Sequence, residues 1–207
     1  MLIFLHHALA LLAMPKTGSR ALEFALKPRA EIVFARNRKH ITAARYKRRV
    51  APFLKSTFDV QPVSVAVMRE PIEQIHSWYK FRSKSVLDGS EVSTKDLSFD
   101  QFVSEVVSDD PPPRAQIGRQ FNFLTDRRGR IMVERLFSYA HQEDLLAFLS
   151  ARLEHDVKLS LRNTSPPIDD SYLSTATLKR LREIRAKDFE LYDQLMMAGG
   201  QKTYTAE

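Results

Sequence analysis

Between an apolar run and an amphipathic stretch the chain reads Met14-Pro15-Lys16-Thr17-Gly18-Ser19-Arg20-Ala21-Leu22. A loop that leaves a strand and opens a helix aims its backbone N–H groups, and the positive end of the helix dipole, at one point. Gly18 lets that backbone approach a ligand closely. Lys16 adds a mobile charge, and Thr17 and Ser19 add hydroxyl donors. The set suits a phosphate or a sulfate. It departs from the usual NTPase loop, GxxxxGK[ST], because Lys16 precedes Gly18 by two positions and the first glycine is missing. A plain strand-to-helix turn with Lys16 in solvent would use the same residues.

A second group follows a later apolar run, in Val67-Met68-Arg69-Glu70-Pro71 and the helical pattern ending Ile75-His76-Ser77-Trp78-Tyr79. An arginine at the carboxyl end of a strand can fork two N–H donors toward a phosphate. Ser77, about two helical turns on, can offer a hydroxyl from the same side. The structural alternative for Arg69 is an ion pair with Glu70 or Glu73, and for Ser77 a helix-surface hydroxyl.

These residues need elements to hold them. Leu2–Leu5 and Leu9–Met14 read as two buried strands joined around His6-His7. A helix over Ser19–Lys27, stopped by Pro28, leads to a strand over Glu31–Ala35 and a basic helix over Thr42–Leu54. Val63–Val67 is a β-branched strand, and a helix over Pro71–Phe81 opens with proline, where the missing N–H costs nothing. Lys84–Leu97 reads as a surface loop. A helix over Phe99–Val107 ends before Pro111-Pro112-Pro113, Arg114–Leu124 reads as helical and Asp126–Arg130 as a turn. A strand over Ile131–Phe137 and helices over Gln142–Leu153 and Ser174–Met197 close the chain. Strands alternating with helices predict an α/β fold, a central mainly parallel sheet flanked by helices, in one domain over residues 1–207.

Composition narrows the chemistry further. No cysteine is present, which excludes disulfide scaffolds, thiolate metal sites and a cysteine nucleophile. A formal charge of +7 points to an anionic partner. Half of the fourteen residues Arg36–Arg49 are Lys or Arg. Only Tyr46 offers an aromatic there, so a nucleic-acid partner is not expected; a solvated face or a surface for an anionic acceptor explains the charge. Residues Met1–Met14 resemble a signal peptide in hydropathy but lack a positive start and a small-x-small cleavage site. No stretch reaches the ~20 apolar residues of a membrane span, and a cytoplasmic location is expected.

Pro15-Lys16-Thr17-Gly18-Ser19-Arg20-Ala21-Leu22, followed by Arg69 eight residues before Ser77, resembles the sulfotransferase family. These enzymes use 3′-phosphoadenosine 5′-phosphosulfate (PAPS) on a P-loop NTPase-like three-layer α/β fold. Gln120-Phe121-Asn122-Phe123-Leu124-Thr125-Asp126-Arg127-Arg128-Gly129, with Val133, is similar to the Q-x-x-F/Y-L-x-D-x-x-G-x-x-x-V segment of Golgi-type carbohydrate sulfotransferases and their bacterial relatives. Ala186-Lys187-Asp188-Phe189-Glu190-Leu191-Tyr192 looks like that group's closing helix. Arg20 departs from the pattern, standing where the family has a second Thr or Ser. Either its guanidinium takes over that contact or binding weakens.

The resemblance implies that Lys16 neutralises charge on the bridging oxygen of the leaving 5′-phosphate. It implies that Thr17, Gly18, Ser19 and Arg20 cradle the 5′ end, and that Arg69 and Ser77 hold the 3′-phosphate. No metal is expected. For an acceptor hydroxyl or amine the candidate general base is His40, because the loop after the Glu31–Ala35 strand should reach the sheet edge that carries Lys16, and histidine titrates near neutrality. A surface histidine in a basic stretch is the alternative; Glu70 and His76 are lesser candidates. Trp78 and Tyr79 could flank the adenine or pack in the core. Two other readings remain at this point: a P-loop-like small-molecule kinase, and a nucleotide- or RNA-binding module without chemistry.

Overall fold

The computed structural model describes residues 1–159 and 172–205. The apolar amino-terminal run folds into a hairpin, β1 (Leu2–Phe4) and β2 (Leu9–Leu11), whose strand residues are all buried. Helix α1 (Ser19–Leu26) follows the lysine-glycine loop, and β3 (Ile32–Val33) returns along β1. Helices α2 (Ala43–Arg45) and α3 (Ala51–Phe58) are joined without a break by a π-helical turn over Tyr46–Val50. Strand β4 (Val63–Met68) leads into α4 (Pro71–Arg82), capped by the Glu70 carboxylate, which accepts from the Glu73 N–H at 2.7 Å. After α5 (Phe99–Val106) and α6 (Gln120–Leu124) comes β5 (Arg135–Ser138), then α7 (Gln142–Leu153), α8 (Thr175–Ile184), α9 (Ala186–Met197) and β6 (Gln201–Thr203).

The six strands form one open sheet in the order β3-β1-β2-β4-β5-β6. Strand alternation sends side chains to two faces. Leu9, Leu11, Val65, Val67 and Phe137 pack with Leu22 and Leu26 of α1 and with Leu145, Leu149 and Leu153 of α7. Ala10, Leu12, Ala66, Met68 and Leu136 pack on the other face with Tyr46, Leu54, Leu191 and Leu195. Helices therefore cover both sides. No helix among the described residues is long and apolar enough to cross a membrane.

The sheet is mixed, which corrects the mainly parallel expectation. Only β2–β4 and β4–β5 run parallel; the other three pairings are antiparallel. The turn between β1 and β2 is too short for a crossover, so those strands must run antiparallel. At the other edge Gly199 and Gly200, both at positive φ, turn the chain back into β6. The parallel core β2-β4-β5 nevertheless brings three strand carboxyl ends to one edge.

Two helical expectations also change. Between Arg114 and Leu124 only Gln120–Leu124 is α-helical, after a 3-10 turn over Pro113–Ala115. The carbonyls in between bond to buried arginines instead of to a helix. Arg82 donates to the carbonyls of Pro113 (3.1 Å), Arg114 and Gln116 (3.4 Å), and Arg185 to those of Gly118 (3.2 Å) and Ile117 (3.4 Å). The long pattern Ser174–Met197 breaks at Arg185 (φ −105°, ψ 18°), the residue whose side chain turns inward to make those bonds.

Candidate functional site

The loop after β2 is built tightly. Lys16 and Gly18 both adopt positive φ, 67° and 75°. Thr17 is buried, and its hydroxyl donates to the Met14 carbonyl at 3.1 Å, so it closes the turn and does not face a ligand as the sequence suggested. The Pro15 carbonyl accepts from Gln74 Nε2 at 3.2 Å, which fastens the loop to α4. Ser19 starts α1, and Arg20 is exposed in its first turn.

Gly18 is required for a second reason. A Cβ there would lie 2.9 Å from Cε2 of Tyr139, the residue directly after β5. On the same ring the Arg69 guanidinium sits 4.6 Å from the centroid. Tyr139 thus touches both the loop and Arg69. Gly18→Ala is expected to cost about 2–4 kcal/mol, from left-handed backbone strain plus the clash, measurable as a lower urea midpoint.

Lys16 projects toward α4. Its Nζ lies 4.3 Å from the Phe81 ring centroid and 5.4 Å from that of Trp78. No carboxylate among the described residues pairs with it. Partial burial, then repulsion from Lys84, Arg69, Arg82 and Arg20, lowers its pKa to about 8. Gln74, Ser77, Trp78 and Phe81 follow one another at helical spacing, so Ser77 occupies the α4 face that meets the loop. The Trp78 Nε1 is buried there without a partner among the described residues. Tyr79 instead packs on Phe99 and Phe102 and donates its hydroxyl to the Leu97 carbonyl at 2.6 Å, which removes it as an adenine flank.

At the end of β4, Arg69 donates from Nε to Glu73 Oε2 at 3.0 Å, with a side chain only 13% exposed. The ion pair weighed from the sequence is therefore present, yet it engages Nε alone. Both terminal amino groups stay without a partner among the described residues. A guanidinium held at one end and stacked on a ring is an oriented fork.

His40 reaches the same edge. Its Nδ1 lies 2.6 Å from the Ala13 carbonyl, two residues before Pro15. A carbonyl can only accept, so Nδ1 carries the hydrogen and Nε2 is left with a free lone pair. Shielding of the ring holds its pKa below the ordinary value, although the Ala13 hydrogen bond opposes this and Lys39 reinforces it. The lesser base candidates fall away: Glu70 caps α4, and His76 packs between Tyr79 and Phe99, where burial lowers its pKa to about 4.

The basic stretch divides into two parts. Lys39 pairs with Glu23 at 3.1 Å and Lys47 with Glu134, both within the structure. Arg36, Arg38, Arg45, Arg48 and Arg49 are exposed, with no carboxylate on them among the described residues. Tyr46 is fully buried, so this stretch offers no ring for base stacking.

Tyr139, Arg82 and Lys84 belong to the cluster although no local sequence pattern marks them. Only their placement beside Lys16 and Arg69 reveals them. No family model, no curated protein and no solved structure matches the chain.

Proposed function

We propose that the chain is a sulfotransferase, moving a sulfuryl group from PAPS to a hydroxyl or amine of an acceptor. The observation that carries this reading is the crowding of Arg20, Arg69, Arg82 and Lys84 around Lys16, which has no carboxylate partner among the described residues. Such charge crowding is unfavourable until a polyanion neutralises it. A cluster of this charge suits a nucleotide anionic at both its 3′ and 5′ ends. The oriented Arg69 fork fits a ligand rich in acceptor oxygens. The β2–loop–α1 unit beside parallel β4 supports a P-loop NTPase-like relationship for the fold.

Sulfuryl transfer, like phosphoryl transfer, depends on positioning and charge stabilisation. His40 Nε2 accepts the proton as the acceptor oxygen or nitrogen bonds to sulfur. The bond from sulfur to the bridging oxygen breaks, and its electron pair stays on the leaving 5′-phosphate, where Lys16 stabilises the charge. The backbone N–H groups at Gly18 and Ser19 and the Arg20 guanidinium hold the 5′ end; Arg69 and Ser77 hold the 3′-phosphate. A kinase reading would call for a carboxylate free to bind Mg²⁺ at a strand end, whereas Glu70 caps α4 and Glu73 holds Arg69.

Two groups set the expected pH dependence. Lys16 is charged below its pKa of about 8, and His40 is a base only above a pKa that lies under the usual histidine value. The profile of kcat/KM should therefore fall near pH 8 on the alkaline side and below the ordinary histidine range on the acid side. His40→Ala should remove the acid limb and lower the plateau about 10²–10⁴-fold. The direct test is incubation with PAPS and a broad panel of alcohols, glycans and amines, following release of 3′-phosphoadenosine 5′-phosphate. Binding of the nucleotide with no transfer to any acceptor would favour a non-catalytic module.

A further inference from the structure

We propose that Gln120 is a positioning residue for Arg69, holding its backbone so that the guanidinium meets a 3′-phosphate. The inference rests on the sulfotransferase reading of the site. Strand β4 leaves its ladder with β5 at the Met68–Ser138 pair, and α4 starts at Pro71. The peptide groups of Arg69 fall in the gap, outside both ladders, and must find partners elsewhere. They find them in one side chain. The Arg69 N–H donates to Gln120 Oε1 at 3.0 Å, and Gln120 Nε2 donates to the Arg69 carbonyl at 2.7 Å.

A primary amide that accepts and donates to the same residue copies a strand pairing, and it fixes two points on one residue. Gln120 is only 2% exposed, so neither bond has water as a ready substitute. Its own base is equally constrained. The next N–H, that of Phe121, donates to Asp188 Oδ1 at 2.8 Å, and Arg185 grips the carbonyls of Ile117 and Gly118 just before it. Asp188 and Arg185 hold the segment, the segment holds Gln120, and Gln120 holds Arg69. With Glu73 on Nε and Tyr139 beneath the plane, backbone and guanidinium are both set before a ligand arrives.

The test compares two probes, 3′-phosphoadenosine 5′-phosphate and adenosine 5′-monophosphate, by calorimetric titration of the whole chain. In wild type the Kd of the monophosphate divided by that of the bisphosphate reports what the 3′-phosphate contributes. Gln120→Leu should lower that ratio about 10- to 100-fold, with the Kd for the monophosphate and the far-ultraviolet dichroism unchanged. Gln120→Asn keeps the amide but is one methylene short, and should give an intermediate ratio; it decides the matter if the leucine variant does not fold. A wild-type ratio retained in both folded variants, or in Gln120→Asn alone, would overturn the proposal. A wild-type ratio near unity would instead overturn the 3′-phosphate site, and the sulfotransferase reading with it.

Discussion

Lys16→Ala is expected to reduce sulfuryl transfer about 10²–10³-fold in kcat, the effect of removing one donor aimed at a developing oxyanion. The loss should fall on kcat more than on nucleotide Kd, because Arg20, Arg69 and the loop N–H groups remain to bind the ground state. Stability should not fall with it. Burial and neighbouring cations already work against the charged form of Lys16, lowering its pKa to about 8, so alanine removes an unfavourable charge along with two cation–ring contacts. The combination separates this role from a structural one: a folded protein with an unchanged melting temperature and a collapsed turnover. A variant that kept more than about a third of wild-type kcat would remove Lys16 from the reaction.

Asp188→Ala should give the largest stability loss, about 3–5 kcal/mol. Asp188 and Arg185 are both almost fully buried and 3.8 Å apart, and burial works against both charges, raising the pKa of the first and lowering that of the second. Removing the carboxylate leaves the guanidinium buried without its counter-charge and takes the acceptor from the Phe121 N–H. In a chain of this size that should lower the melting temperature by about 10 °C or more. Replacing both, as Arg185→Met with Asp188→Leu, should recover part of the loss, because no charge then remains buried. A single-variant loss below about 1 kcal/mol would show that the pair does not organise this corner of the fold.

The legible parts of the chain are those fixed by local pattern. The β-branched run of β4, the proline that opens α4 and the glycine after Lys16 each announce an element from neighbouring residues alone. His40 is placed by topology: the loop after β3 is expected to reach the edge that carries Lys16, and it ends beside Ala13. Long-range contacts carried no such signal. Nothing around Tyr139 says that its ring touches both Gly18 and Arg69, since that depends on β5 lying beside β4. The inward turn of the Thr17 hydroxyl is likewise a property of the folded loop. Nothing in the local sequence marks Arg82 and Arg185 as buried, yet both are, and they replace helix hydrogen bonds over residues 113–118, so neither the loss of helix there nor the break within Ser174–Met197 has a local signal. The mixed sheet follows from the β1–β2 hairpin, where a short turn outweighs the α/β alternation, and from the returns of β3 along β1 and of β6 along β5 after intervening helices.

On the proposed reading, the cationic cluster around Lys16 holds a nucleotide phosphorylated at both its 3′ and 5′ positions. Calorimetric titration of the whole chain with 3′-phosphoadenosine 5′-phosphate, beside ATP with Mg²⁺, tests it most directly. Saturable binding of the bisphosphate in the micromolar range is expected, weakened at least about tenfold by Arg69→Leu, with ATP–Mg²⁺ bound more weakly. Tight binding of ATP–Mg²⁺ with none of the bisphosphate would contradict it.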